Sequence, residues 1–219
     1  MTSGSSCLSK RTRSSRSSSV ATGCGAAVIL GAALLACATL AAAEPDAFSV
    51  DRETSTAEFA VRYFGVFTQH GTFRRAGGTI VVDAEEHSGT IDLVVDASSI
   101  DTGWSVGDAW LRSEDMFDVE HFPVMRFRSN RLVFDHSRLT EVDGSLTLRG
   151  VTRPVSLKVG RMECSRNGGQ ERACSASAAS RIRRSDFGLT YGLGFIADDI
   201  DLSFHIAASR AGTQSASRQ

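Results

Sequence analysis

The chain has 219 residues and nearly balanced charge, 24 Lys and Arg against 25 Asp and Glu. With no basic run beyond residue 44, it lacks the electrostatic footprint that draws a protein to nucleic acid. Once the N-terminal segment is set aside, roughly 175 residues remain, the size of one domain.

That segment opens with Lys10, Arg11, Arg13 and Arg16 in a Ser-rich stretch. An apolar run from Ala26 to Ala42 follows and ends in Ala41-Ala42-Ala43, then Glu44-Pro45. The order of basic, apolar and small residues is that of a secretory signal, with cleavage expected after Ala43. An uncleaved anchor would need roughly 20 apolar residues, nearly the length present, but this run is mostly Ala and has a cleavage-like exit. Thr12 separates Arg11 from Arg13, so no twin-arginine pair exists and ordinary secretion is expected. Leu34-Leu35-Ala36-Cys37 resembles a bacterial lipobox, which offers an alternative start at a lipidated Cys37. The expected location is periplasmic or secreted.

Cys7, Cys24 and Cys37 fall in or beside this segment, leaving Cys164 and Cys174 for the folded part. Two thiols in an oxidising compartment, spaced around Arg166-Asn167-Gly168-Gly169, read as a disulfide across a hairpin. A metal pair or a redox dithiol would want closer spacing or more ligands. Residues 209–219 are small and polar and read as a frayed tail, which leaves 44–208 as the domain.

From Phe48 onward the apolar period is two. Phe59, Val61 and Tyr63 alternate with polar neighbours, as do Ile91, Leu93 and Val95. The stretch from Trp104 to Phe117 breaks the period and reads as a short amphipathic helix, with Asp101-Thr102 as its N-cap. It carries both tryptophans and is placed as a plug or lid, although ordinary core packing explains each aromatic equally well. Val142, Gly144, Leu146 and Leu148 resume the alternation, followed by Val155, Leu157 and Val159, and by Ile200, Leu202, Phe204 and Ile206. One apolar and one wet face mark antiparallel sheet. Turns are expected at Gly77-Gly78, His87-Ser88-Gly89, Asp135-His136-Ser137, Gly150 and Asn167-Gly168-Gly169. The resulting fold class is all-β: an antiparallel barrel of about eight strands with one inserted helix, closed because open edges are costly. Phenylalanines recur across nearly every element, and a barrel of this size is either filled by side chains or holds one small ligand.

Several blocks carry a resemblance. Ser99-Ile100-Asp101-Thr102-Gly103, Asp108, and Leu111-Arg112-Ser113 leading to Asp115-Met116-Phe117-Asp118 resemble the signature of the YceI-like family. Phe122-Pro123-Val124-Met125-Arg126-Phe127, Gly144 to Val155, and Arg184-Ser185-Asp186-Phe187-Gly188-Leu189 follow in the same order. The resemblance covers Phe48 to Ala208. It implies a lipocalin-like, usually periplasmic barrel whose apolar tunnel holds a polyisoprenoid, or in some relatives a fatty acid or amide. Many relatives carry a His in the second strand, where this chain has Arg62-Tyr63-Phe64-Gly65.

No catalytic constellation accompanies these blocks. His70, His87, His121, His136 and His205 are scattered without metal-ligand spacing, and there is no nucleophile elbow or phosphate loop. The candidate binding set is Phe59, Val61, Phe73, Trp104, Trp110, Leu111, Phe117, Phe127, Leu148 and Phe187 for the apolar wall. Arg112 and Arg184 are placed at the mouth, where a planar guanidinium would hold a phosphate or carboxylate head group. The plainer alternative makes Arg112 and Arg184 partners of Asp115 and Asp186 in ties between helix and barrel. The expected partner is a long isoprenoid or fatty acyl lipid with no other cofactor, with peripheral membrane contact and a monomeric or dimeric state both open. Two rivals stand beside carriage: a barrel enzyme of isomerase or cyclase type acting on its lipid, and a filled barrel serving as an envelope stress interaction module. On this reading, Trp110→Ala and Phe127→Ala weaken long-chain binding.

Overall fold

The computed structural model describes residues 46–83, 85–167 and 170–210. The leader, Cys37, residues 211–219 and the glycines after Asn167 lie outside them. The period-two stretches form eleven strands: β1 (Asp46–Val50), β2 (Thr56–Tyr63), β3 (Phe67–Phe73), β4 (Ala76–Asp83), β5 (Ser88–Asp96), β6 (Ile100–Asp101), β7 (Val124–Asp135), β8 (Arg138–Leu148), β9 (Val151–Asn167), β10 (Gln170–Arg183) and β11 (Ile196–Arg210). Neighbours run antiparallel in the order β1-β4-β5-β7-β8-β9-β10-β11, and β1 pairs back onto β11 to close the ring. Three of the staves are broken. β2 continues β1 along β11, β3 runs into β4, and β6 follows β5 to pair with β3. The product is a closed barrel of eight staves, which leaves no long open edge.

The breaks explain why eleven segments replace the eight or nine strands expected. Gly77 and Gly78 do not turn; they lie inside β4. A Cβ on Gly78 would sit 2.0 Å from the Asp92 carbonyl oxygen, so glycine permits close approach to β5 there. Between β1 and β2, Ser55 closes the gap. Its fully buried hydroxyl accepts from the Ala207 N–H at 3.0 Å and donates to the Ala207 carbonyl at 3.2 Å. The Asp51 N–H also bonds the Ala207 carbonyl (2.8 Å), so backbone and side chain together complete the β11 ladder at the break. Ser209 and Arg210, read from the sequence as the start of a tail, are paired with Ser49 and Phe48 and belong to β11.

The single α-helix among the described residues, α1 (Ser105–Arg112), is shorter than the stretch read as helical, and its N-cap is Trp104, without a capping side chain. Polarity is reversed from the expected cap: the buried Asp108 carboxylate reaches back to the Thr102 N–H (2.8 Å) and hydroxyl (2.7 Å). Residues 113–122 continue as turns, not helix. Among the described connections, α1, the β2–β3 and β8–β9 turns and the 184–195 segment lie at one end of the barrel. The β4–β5 and β7–β8 turns lie at the other, as do Asp46 and the disulfide Cys164–Cys174, which joins directly opposed residues of β9 and β10.

The barrel wall obeys the alternation. Val61, Ile91, Leu93, Val95, Val142, Leu148, Leu157, Ile200 and Ile206 are buried inward. Outward positions carry cross-strand ion pairs: Arg126 and Arg128 on Asp92, Arg131 on Asp143, Arg181 on Asp201.

Candidate functional site

Inward apolar side chains leave two cavities stacked along the axis. The upper one, under α1, has a volume of about 120 Å³ and is walled by β2 (Ala57, Phe59, Val61, Tyr63), β11 (Ile200, Leu202, Phe204), Phe73, Leu111, Met116, Phe117, Met125, Leu146 and Leu148. Its polar side chains are Gln69, Tyr63 and Arg184. The lower one, at the disulfide end, has about 350 Å³ and is walled by Phe48, Ile91, Leu93, Phe134, Leu139, Val142, Leu157, Val159, Ile206 and both bridged cysteines.

Phe127 sits between them. Its cross-strand neighbours are Leu93 on one side, which lines the lower cavity, and Leu146 on the other, which lines the upper. Phe127 itself is 5% exposed and belongs to the lower core, against which Leu146 and Phe204 also pack. Gly144 makes room for it: a Cβ there would lie 2.5 Å from the Phe127 ring and 2.3 Å from the Arg128 carbonyl oxygen. The glycine on the apolar face of β8 therefore positions this partition.

Arg184 is 4% exposed, and its donors are turned onto the chain itself. Nε donates to Ala197 O (2.9 Å), Nη1 to Leu189 O (2.6 Å) and Tyr191 O (2.8 Å), and Nη2 to Ile196 O (3.1 Å). Four of its five N–H groups thus hold the 188–197 segment against the barrel. Burial pushes its pKa below the usual arginine value, against the opposing pull of Asp198 and Tyr63. Asp198 is pushed up by burial, yet two hydrogen bonds from Ser185 and the charges of Arg184 and Arg183 leave it below the ordinary carboxylate range. The cavity wall therefore carries a buried positive charge.

Of the residues read from the sequence, Phe59, Val61, Phe73, Leu111, Phe117, Leu148 and Arg184 converge on the upper cavity. The others stand elsewhere. Phe187 is buried behind the wall with Leu148 and Leu189. Trp110 is half-buried and meets Tyr191 edge-on at 5.1 Å, while Trp104 is exposed. Arg112 faces away from the mouth, donating to Ser98 O (2.9 Å) and Ile100 O (2.6 Å), and so pins α1 to β6. Asp186 pairs locally with Arg183. Tyr63, Leu146, Leu202 and Phe204 were missed as wall residues, although each continues the period-two phase of a strand already read.

An eight-stave antiparallel barrel with an apolar interior and one helix across its end is a lipocalin-like barrel. The family model described as YceI-like domain matches residues 48–208, and the chain belongs to that family. A UPF0312 protein of Enterobacter sp. is 28% identical over 178 residues, covering 80% of this chain and 91% of the relative. Protein YceI of Salmonella arizonae is 28% identical over 158 residues, covering 71% and 82%. Among solved structures, a polyisoprenoid binding domain from Saccharophagus degradans, implicated in plant cell wall breakdown, superposes with TM-score 0.59 at 19% identity, over 75% of this chain and 99% of that one.

Proposed function

We propose that this protein is an exported carrier that holds a long polyisoprenoid or acyl chain inside the barrel and performs no reaction on it. The observation that carries the reading is the stacked pair of apolar cavities, with the polar side chains of the upper one gathered on Tyr63, Gln69 and Arg184. The polyisoprenoid-binding relative of the same fold supports the choice of ligand class. The upper cavity alone is smaller than an engineered 150 Å³ void that admits one benzene. A long tail must therefore pass the Phe127 partition and occupy the lower cavity too.

Carriage is energetically sufficient without catalytic groups. A tail of about twenty carbons gains about 0.8 kcal/mol per buried CH₂, on the order of 16 kcal/mol gross. Lost motion and chain ordering offset an estimated 4–15 kcal/mol of it. The head group stays at the helix end, where the Arg184 charge favours an anionic or strongly polar group over a cationic one. Export follows the leader-like segment, and the disulfide Cys164–Cys174 suits an oxidising compartment. The experiment is native mass spectrometry of protein purified from its own envelope, followed by lipid extraction. A single long-chain lipid per barrel is expected; protein that arrives empty and takes up no prenyl or acyl chain in vitro sinks the reading.

A further inference from the structure

The phenylalanines in excess of the barrel's needs are not inside it. At the helix end, Phe64 (70% exposed), Val66 (75%) and Phe67 (69%) form the β2–β3 tip. Tyr191, Leu193 and Phe195 stand beside them on the 188–195 segment, each close to half exposed. The two tips are joined: the Phe64 N–H donates to Phe195 O at 2.7 Å, and their rings stack 5.8 Å apart. Residues 63–69 and 187–197 contain no charged side chain and no histidine, in a chain that is 22% charged. Tyr63, Gln69, Leu189 and Ile196, between these tips and the barrel, already line the upper cavity. The apolar rim and the apolar interior are one surface.

The backbone adds an independent observation. Phe64 and Gly65, the central residues of the turn closed by the Val66 N–H to Tyr63 O bond, both have positive φ (50° and 72°). Turns of that kind favour Asn-Gly, and a bulky residue in the left-handed region is an outlier. The other described non-glycine residues there are His87, Asp118, His136 and Arg149, all polar. Backbone conformation and solvation in water both disfavour phenylalanine at position 64, and its one ring stack is with Phe195 of the other tip. Such outliers point from structure to function.

We propose that the helix end of the barrel docks on a lipid bilayer, the two aromatic tips entering its interfacial layer so that a chain passes between membrane and cavity without crossing water. This rests on the carriage reading above. Two joined tips presenting six exposed or half-exposed apolar side chains suit a fluid surface, whereas a protein partner or a second copy would need a complementary face of about 800 Å² per side. Aromatic side chains concentrate at membrane–water interfaces, and an exposed apolar patch continuous with a lipid cavity is the expected form of a transfer site. The absence of charge in both tips makes docking apolar and insensitive to salt.

Both tryptophans of the chain lie at this end, Trp104 at the start of α1 and Trp110 within it, so its emission reports on docking. The exported protein is mixed with phosphatidylcholine vesicles, with and without bromine on the acyl chains. Brominated vesicles are expected to quench the emission. Phe64→Asn/Phe67→Ser/Leu193→Ser should weaken vesicle partition at least tenfold while keeping the thermal midpoint and the uptake of farnesol added from solvent. Phe64→Asn alone keeps the turn, so loss of folding cannot imitate the result. A triple variant that partitions like the parent overturns the proposal. So does a parent that takes up farnesol yet ignores vesicles, which leaves carriage standing. A dimer in sedimentation that the same three substitutions dissolve would assign the rim to chain–chain contact and overturn it too. Docking without any farnesol uptake supports the membrane surface and removes the carriage reading instead.

Discussion

Two buried side chains show how much rests on single atoms. Ser55 is the partner of the Ala207 N–H, so Ser55→Ala leaves that part-buried N–H unpaired, while the Asp51 N–H still bonds the Ala207 carbonyl. The expected loss is about 1–3 kcal/mol in denaturant unfolding, and an unchanged midpoint would show that water replaces the hydroxyl. Nothing in the sequence marked Ser55, because it lies in a non-repeating stretch and its partner is 152 residues away. Phe127 was legible as a core residue but not as a partition, since period two gives the face of a strand and not its height in the barrel. Phe127→Ala should cost about 3–5 kcal/mol and join the two cavities. Its effect on binding is then opposite to the sequence-based expectation: a long prenyl alcohol gains affinity relative to a short one, measured as a ratio on folded protein. Equal ratios in parent and variant would show that the ring does not divide the interior. Trp110→Ala acts differently, through loss of its contact with Tyr191 and hence of the 188–195 segment's seat on α1.

Paired strands carry their charge outside. On β5 and β7, Asp92 receives Arg126 (Nε at 2.8 Å) and Arg128 (Nε at 3.2 Å). The Arg126 hydrogen bond, against the opposing effect of burial, holds the Asp92 pKa below its ordinary 3.8. A depressed folded-state pKa gives stability that is present above the unfolded value and is lost as pH falls through the folded one. The thermal midpoint should therefore drop below about pH 4, and Asp92→Asn should flatten that drop while costing little at neutral pH, as exposed pairs do. A variant that follows the parent's acid profile would place the effect elsewhere. On β9 and β10, replacing Cys164 and Cys174 by Ser should lower stability by about 2–3 kcal/mol in reversible unfolding. Because the bridge walls the lower cavity, it should also loosen long-chain binding more than short-chain binding, a coupling that hairpin spacing alone does not reveal. The strands and this bridge were legible from alternation and spacing. The extent of α1 was not: the apolar residues after Arg112 fit a helical face, but Phe117 and Asp118 turn back to bond Leu111 and Ser113.

At the scale of the whole molecule, alternation with short connections was enough to call for a closed antiparallel barrel. It did not show that three staves are broken, although the inward parity changes at each break, from Phe48 and Val50 to Phe59 and Val61, from Phe73 to Ile80, and from Leu93 and Val95 to Ile100. Intact mass of the protein purified from its own cells tests the proposed leader, with a start at Glu44 expected and a diacylglycerol-bearing Cys37 as the outcome that replaces it. The described chain begins and ends at one pole: Asp46 and Arg210 are tied by an ion pair at 2.5 Å, and Asp46 lines the lower cavity. The aromatic rim lies at the opposite pole. The barrel is therefore a vectorial object, and any tether, fused domain or surface linkage made directly at Asp46 or Arg210 holds it by the base and aims its mouth away from the point of attachment.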